Sequence, residues 1–314
     1  ARVMRAKVNY KLTDTAISSA SIPNTGFDEP GQDPEEAPRE WGRRFPFLAQ
    51  KVIDEGYDLP LPYGVGFTYA YVDQEQIIAD LEVGLNGRPL EPFDFVTFEN
   101  AFSKSSTASL KYDFWLFPFM NLYGMVGHID GDAPMDIILD GNGMLDQIGT
   151  DCSGIIKPPL CNLLGDKDFL LTIDANFTGT LYGAGLTLAG GWNGWFVTIP
   201  MNWSYADMDT TKTDGLATTV TPRAGRLFNL DRYGTLAVMV GGNYLDTGLE
   251  ITGQVSTPGE ELVIDYQITQ QNKDGWNGVV GFNWDFNRKL SWSMEYNGFF
   301  GSRDAFITSL VWRY

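Results

Sequence analysis

The sequence predicts an all-β fold: a closed antiparallel transmembrane barrel of about ten strands, with about twelve as the alternative count, behind a plug-like N-terminal segment that contains a short helix. Three observations predict it. From residue 63 onward, segment after segment alternates bulky apolar residues with small or polar ones at a period of two. The bulky face is the larger one, and glycine or a lone charge stands opposite, the reverse of a soluble sandwich. Short turns alternate with longer connections along the chain, as they do around a barrel that crosses a membrane.

The totals agree. Apolar residues make up 43% of the 314, so the chain can bury a core, and 14% aromatics with 35 glycines suit strands and tight turns. A net charge of −18 argues against a nucleic-acid partner, which needs clustered Lys and Arg. No run of about 18 apolar residues is present, so no transmembrane helix is expected. No basic and apolar leader opens the chain, so an exported protein would stand here in mature form.

Two regions are expected. Residues 1–62 form an N-terminal periplasmic or lumen-plugging segment, and 63–314 form the barrel. "NTGFDEPGQDPEEAPRE" is acidic and proline-rich and reads as irregular. One short helix follows, from about Pro46, suited to a first helical turn, to Glu55, with Gly56 as the stop. Only "GYDLPLP" joins that helix to the first strand. At about 3.3 Å per residue it must lie within roughly 23 Å of the strand's start. Arg43, Arg44 and Lys51 could then meet lumen carboxylates such as Asp285 and Glu295, while Phe45 and Phe47 cover apolar surface.

The strands read in order. "YGVGFTYAYV" sets Tyr63, Val65, Phe67, Tyr69 and Tyr71 against Gly64, Gly66 and Thr68. "SLKYDFWLFP" sets Leu110, Tyr112 and Phe114 against Lys111, Asp113 and Trp115. "WFVTIPMNWSY" sets Trp195, Val197 and Trp203 against Thr198 and Asn202, and "VTPRAG" isolates Arg223. "WNGVVGFNWDF" sets Phe282, Trp284 and Phe286 against Asn283 and Asp285, and "LSWSMEYN" opposes Glu295 to Met294 and Tyr296. Aromatics gather at the ends of the apolar faces, as interfacial girdles do. Short turns fall at 117–121, 190–194, 229–234 and 286–289; the other connections fall at about 74–105, 131–176, 207–217, 246–275 and 299–304. The chain closes with "DAFITSLVWRY", in which Phe306, Leu310, Trp312 and Tyr314 share a face.

That last segment resembles the terminal strand of bacterial outer-membrane β-barrel proteins, which alternates back from a final aromatic and is read by the barrel-assembly machinery. The resemblance implies a Gram-negative outer membrane with the N-terminus periplasmic. Outer-membrane lipid and lipopolysaccharide would be partners, as would the assembly machinery during biogenesis.

Candidate chemistry is sparse. The inward phase collects Lys111, Asp113, Asn202, Arg223, Asn283, Asp285 and Glu295, with Arg313, as a lumen lining. Opposite charges in a narrow lumen should pair, and the same lining can form a polar constriction. In "GHIDGD" the residues His128, Asp130 and Asp132 alternate and share a face, a weak candidate for activating water. Omptin proteases, ten-stranded barrels with His and Asp near the outer rim, are similar in architecture alone. Asp136, Asp140, Asn142 and Asp146 offer oxygen ligands that make calcium a weak candidate cofactor, without EF-hand spacing; no other cofactor is expected. Cys152 and Cys161, in "CSGIIKPPLC", suit a disulfide around a small loop better than two free thiols. The function expected is narrow or gated passage of a small solute, since about eight strands already fill with side chains and open channels need about 16. A surface hydrolase, or a structural or adhesive barrel working through acidic loops, are the alternatives.

Overall fold

The computed structural model describes residues 40–54, 59–85, 87–154, 158–209, 211–256 and 263–314. After helix α1 (Ala49–Asp54), strand β1 (Tyr63–Leu85) rises from the short-turn end. Two short strands, β2 (Glu91–Pro92) and β3 (Val96–Glu99), lead into β4 (Phe102–Phe117), and a tight turn returns the chain as β5 (Met120–Asp140). Helices α2 (Gly141–Gln147) and α3 (Pro159–Leu164) stand at the far end before β6 (Asp168–Trp192) descends. Then come β7 (Trp195–Met208), β8 (Lys212–Asp214), β9 (Ala217–Val220) and β10 (Arg223–Asn229). Strand β11 (Thr235–Asp246) precedes a hairpin of β12 (Leu249–Ser256) and β13 (Val263–Asn272). The chain closes with β14 (Trp276–Asp285), β15 (Leu290–Gly298) and β16 (Arg303–Arg313).

Ten strand positions make the wall. They are β1, β4, β5, β6, β7, β9 with β10, β11, β14, β15 and β16, each antiparallel to its neighbours. Strands β9 and β10 count as one position, since both pair with β7 and β11. They part at Thr221 and Pro222, where proline has no N–H to give the ladder. Strand β16 pairs back onto β1 from Gly64↔Arg313 to Gln74↔Arg303, so this sheet has no edge in its lower half.

The alternation is inverted relative to a soluble protein. Val65, Phe67, Leu110, Val126, Val240 and Leu310 stand exposed on the outside, while Thr68, Lys111, Asp113, Arg223, Asn283 and Glu295 are buried inside. Aromatic pairs ring the short-turn rim: Tyr63 with Tyr314, Trp312 with Tyr314, Phe117 with Phe119, and Trp284 with Phe286. At the opposite margin Tyr244 meets Trp276, and Tyr296 meets Phe299. On β16 the outward side chains from Phe306 to Tyr314 are apolar or aromatic but for Thr308, a length that matches the about 9–11 tilted residues a bilayer needs. Above that band the outward residues turn polar. Asp73 pairs with Lys104 at 4.0 Å, and Tyr296 donates to Asp304. Among the described residues no helix is long and apolar enough to cross a membrane; the crossing is made by strands.

The wall continues well beyond the band, and this corrects the expected long connections. Strands β5 and β6 stay paired from Met120↔Leu188 to Asp140↔Asp168, so much of 131–176 is ladder, not loop. Strand β1 likewise runs on through 74–85, where it leaves β16 and pairs with β13, from Gln76↔Asn272 to Leu85↔Ile264. The physical reason is plain in "VDQEQIIAD" and "DAPMDIILD". Past the lipid, both faces of a strand meet water, so the period-two contrast that marks a strand is lost. Helix α1 is shorter than expected, and α2 and α3 were unforeseen. Asp140 caps α2 by accepting from the backbone N–H groups of Asn142 and Gly143.

Candidate functional site in the barrel lumen

Inward-facing positions on neighbouring strands point at one another across a narrow interior, and large side chains fit only where glycine faces them. A Cβ on Gly185 would lie 2.4 Å from the Tyr123 ring, and one on Gly225 2.4 Å from the Phe196 ring. The glycines opposite the bulky faces are thus the space into which the lumen side chains pack.

The seven residues expected to line the lumen, Lys111, Asp113, Asn202, Arg223, Asn283, Asp285 and Glu295, are each at most 5% exposed. They form layers. Toward the short-turn end, Asp113 is the hub. Arg313 Nη2 lies 2.9 Å from its Oδ1, Lys111 Nζ lies 3.6 Å from its Oδ2, and Asn121 donates to it at 2.8 Å. Lys111 also sits 5.3 Å over the Tyr123 ring, whose hydroxyl donates to the Met201 carbonyl and to Asn202. In the same region Asn283 donates to Asp285. Higher up, Arg223 and Glu295 meet at 2.7 Å, spanning the lumen between β10 and β15. Higher still, Arg303 donates to Asn243, Asn243 donates to Thr221, and Asn277 donates to the Arg303 carbonyl. The short-turn end also holds an apolar layer of Phe196, Ala237 and Met239 with Leu227, together with Trp115, whose indole N–H is buried. Side chains therefore fill the interior, as in other small barrels.

The approach segment divides in two. Leu59 is 1% exposed, and its carbonyl accepts from Arg288; the Leu61 carbonyl accepts from Arg313, and the Pro62 carbonyl from the Trp115 N–H. Residues 59–62 thus seat in the short-turn mouth. The residues named for the plug sit elsewhere. Phe45 packs edge-on against Phe114 and Phe47 against Phe117, with the Phe47 N–H bonded to the Leu116 carbonyl, on the outward side of β4. Arg43, Arg44 and Lys51 are exposed, Arg44 over the Phe45 ring, whereas Asp285 and Glu295 are buried and Glu295 is taken by Arg223. The expected meeting of these cations with lumen carboxylates is corrected accordingly: the apolar rim offers Phe45 and Phe47 a partner that the filled lumen does not. Residues 1–39 lie outside the described residues.

His128, Asp130 and Asp132 do share a face of β5, and it is the outward face just above the apolar band, where Thr178 Oγ1 lies 3.3 Å from His128 Nε2. The four candidate calcium ligands are spread along the tall end. Asp136 accepts from Asn100 and Thr172, which hold its carboxyl below the usual range. Asp140 is spent on the α2 cap, Asn142 exchanges hydrogen bonds with Asp166, and Asp146 lies on α2. Among the described residues no three His, Cys, Asp or Glu side chains gather as a metal site would need. Cys152 and Cys161 are joined by a disulfide, with Cα atoms 5.8 Å apart, which ties the connection after α2 to α3.

Sequence reasoning missed Asn243 and Arg303 of the upper layer; Asn277 falls on the polar face of "WNGVVGFNWDF" with Asn283 and Asp285 but is absent from the expected lining. The signal was present: counting back by twos from inward-facing Arg313 reaches Val311, Ser309, Ile307, Ala305 and then Arg303.

No family model matches the sequence, and no curated protein matches it. Solved structures of outer-membrane barrels are similar in fold. The outer membrane protein OprG of Pseudomonas aeruginosa aligns at 9% identity over 82% of this chain and 98% of its own, with a TM-score of 0.38. The translocator domain of the autotransporter NalP of Neisseria meningitidis aligns at 12% identity over 84% and 92%, with a TM-score of 0.36. The toluene transporter TodX of Pseudomonas putida aligns at 10% identity over 84% and 90%, with a TM-score of 0.28. These neighbours do different things, and no role follows from them.

Proposed function

We propose that this chain is an outer-membrane barrel that gives narrow, gated passage to a small solute, with its short turns and N-terminus in the periplasm. The observation that carries the reading is the lumen itself. Above the apolar layer at its short-turn end it is polar, yet it is crossed by hydrogen-bonded and ionic side chains such as Arg223–Glu295, so passage requires those pairs to part. A barrel with only a scaffold role needs no such sequence of charges, since apolar filling is at least as stable as a buried ion pair. Lipid and lipopolysaccharide would meet the apolar band, and the terminal strand would be read during assembly. In this reading residues 59–62 obstruct the periplasmic mouth.

The test is single-channel recording on the full chain in planar bilayers. Small, discrete conductance steps are expected. Replacing both partners, Arg223→Met with Glu295→Met, should widen the steps or raise open probability, because the crossing pair is gone without a stranded charge. Deleting residues 1–62 should do the same from the other end, since it empties the short-turn mouth that residues 59–62 fill. A double variant and a deletion that both insert normally and both pass no more current than the parent would remove the passage reading.

A further inference from the structure

Among the described residues four basic side chains are buried: Lys111, Arg223, Arg303 and Arg313. Three of them stand at a carboxylate, Lys111 and Arg313 at Asp113, and Arg223 at Glu295. Arg303 does not. It is 7% exposed, its Nη2 is spent on the neutral Asn243 side chain, and its Nη1 is buried with no hydrogen-bond partner. A guanidinium withdrawn from water without a counter-charge is costly, and a folded protein seldom holds one unless something else supplies the charge. A local remedy was cheap. Asp304, the next residue, points outward to Tyr296, so the chain places a carboxylate beside Arg303 in sequence and aims it away.

The surroundings fit a ligand better than a structural bond. Arg303 opens β16, opposite Gln74 of β1, at the level where the closed barrel ends and the taller wall begins. The neighbours that hold it, Asn243, Asn277 and Thr221, are neutral donors and acceptors locked by their own hydrogen bonds. Asn243, itself held by Thr221, fixes the guanidinium, Asn277 holds the Arg303 carbonyl, and none of them neutralises the charge. In a chain of net charge −18, this is a buried cation near the upper end of the closed barrel that no carboxylate among the described residues faces.

We propose that Arg303 is the binding site for the carboxylate of a small monoanionic solute, held through Nη1 at the upper entrance of the lumen. One unpaired guanidinium nitrogen among neutral neighbours matches one negative charge, which a carboxylate oxygen supplies. A phosphate dianion would need a second cation, and the other buried basic side chains are engaged lower down. The inference deepens the passage reading by naming the class of solute, and it rests on that reading for its purpose.

The test uses the full-length chain in detergent micelles, with lactate as probe and lactamide as its uncharged counterpart. Isothermal titration should show saturable lactate binding and at least tenfold weaker binding of lactamide. Phenylglyoxal labelling of the wild-type chain, read by peptide mass spectrometry, should show Arg303 protected by lactate and not by lactamide. Arg303→Met should lose lactate binding, and Arg303→Lys should keep part of it. If Arg303→Met does not fold, the labelling experiment still decides. Equal protection by the two probes, no protection by either, or undiminished lactate binding in a folded Arg303→Met variant overturns the proposal. Bilayer recordings separate it from the reading beneath it. Lactate binding without any conductance defeats passage alone, and conductance indifferent to lactate with no protection defeats the carboxylate site alone.

Discussion

At the scale of single residues, the lumen is a set of charges whose worth depends on their partners. Arg223 and Glu295 are both buried, and removing one partner strands the other. Glu295→Ala should therefore cost about 3–5 kcal/mol, whereas the paired change to methionine on both sides should cost far less or nothing. Urea titration of the detergent-refolded barrel measures both, and equal losses for the single and double variants would contradict this account. A second residue-scale prediction concerns the outside. Leu310 stands exposed midway between Phe306 and Tyr314. Leu310→Arg should lower folding free energy into phospholipid vesicles by about 2–4 kcal/mol, while leaving folding in short-chain detergent less affected. Glycine matters here by what it leaves open. A Cβ on Gly64 would lie 2.5 Å from Asp113 Oδ2. Gly64→Ala should thus push Asp113 off Arg313 and destabilise the short-turn end, seen as a lower heat-unfolding midpoint on unboiled gels.

At the scale of elements, legibility followed the surroundings of each strand. Where one face met lipid and the other a polar lumen, the contrast was strong, so Tyr63–Tyr71, Leu110–Leu116 and Phe306–Tyr314 could be read with their facing. Where both faces met water the same strands became invisible, and 74–85 and 131–140 passed for loop although they are ladder. The lumen residues were legible as a set because phase alone places them. Their pairing was not, since Arg223 and Glu295 are 72 positions apart and meet only through closure of the barrel. The tall end carries its own prediction. Asp136 ties Asn100, beside β3, to Thr172 of β6, and these hydrogen bonds hold its carboxyl below the ordinary range. A lowered folded value means the tie is present above the ordinary carboxylate pKa and is lost as pH falls through the lowered one. Hydrogen exchange across 96–100 should quicken on that descent, and Asp136→Asn should remove the dependence. Farther out, the Cys152–Cys161 disulfide closes a loop that lies outside the strand ladder. Replacing both with serine should open 150–165 to protease while the barrel's heat-unfolding midpoint stays unchanged.

At the scale of the whole molecule, a ten-position barrel is too narrow to be an open pore and just wide enough to need filling. The chain fills it in layers: apolar side chains and Leu59 at the short-turn end, ion pairs above, amides with Arg303 at the top. Leu59→Gly should loosen the lowest layer alone, raising baseline conductance without altering the ion-pair energetics measured for Arg223 and Glu295. Unchanged conductance in a folded Leu59→Gly barrel would shift the obstruction to the polar layers.

Strand β1 has a further consequence for how the cylinder finds its final shape. Its flank is fully occupied: β16 takes Gly64 to Gln74, the Glu75 N–H goes to Ser302, and β13 begins at Gln76. The hairpin that brings β13 precedes β16 in the chain, so it can be in position before the last strand arrives. A final strand that slid upward by two residues would collide with Asn272. The hairpin thus works as a doorstop, and the shear of the finished cylinder, with the radius that shear dictates, is set by a piece of wall standing outside the membrane.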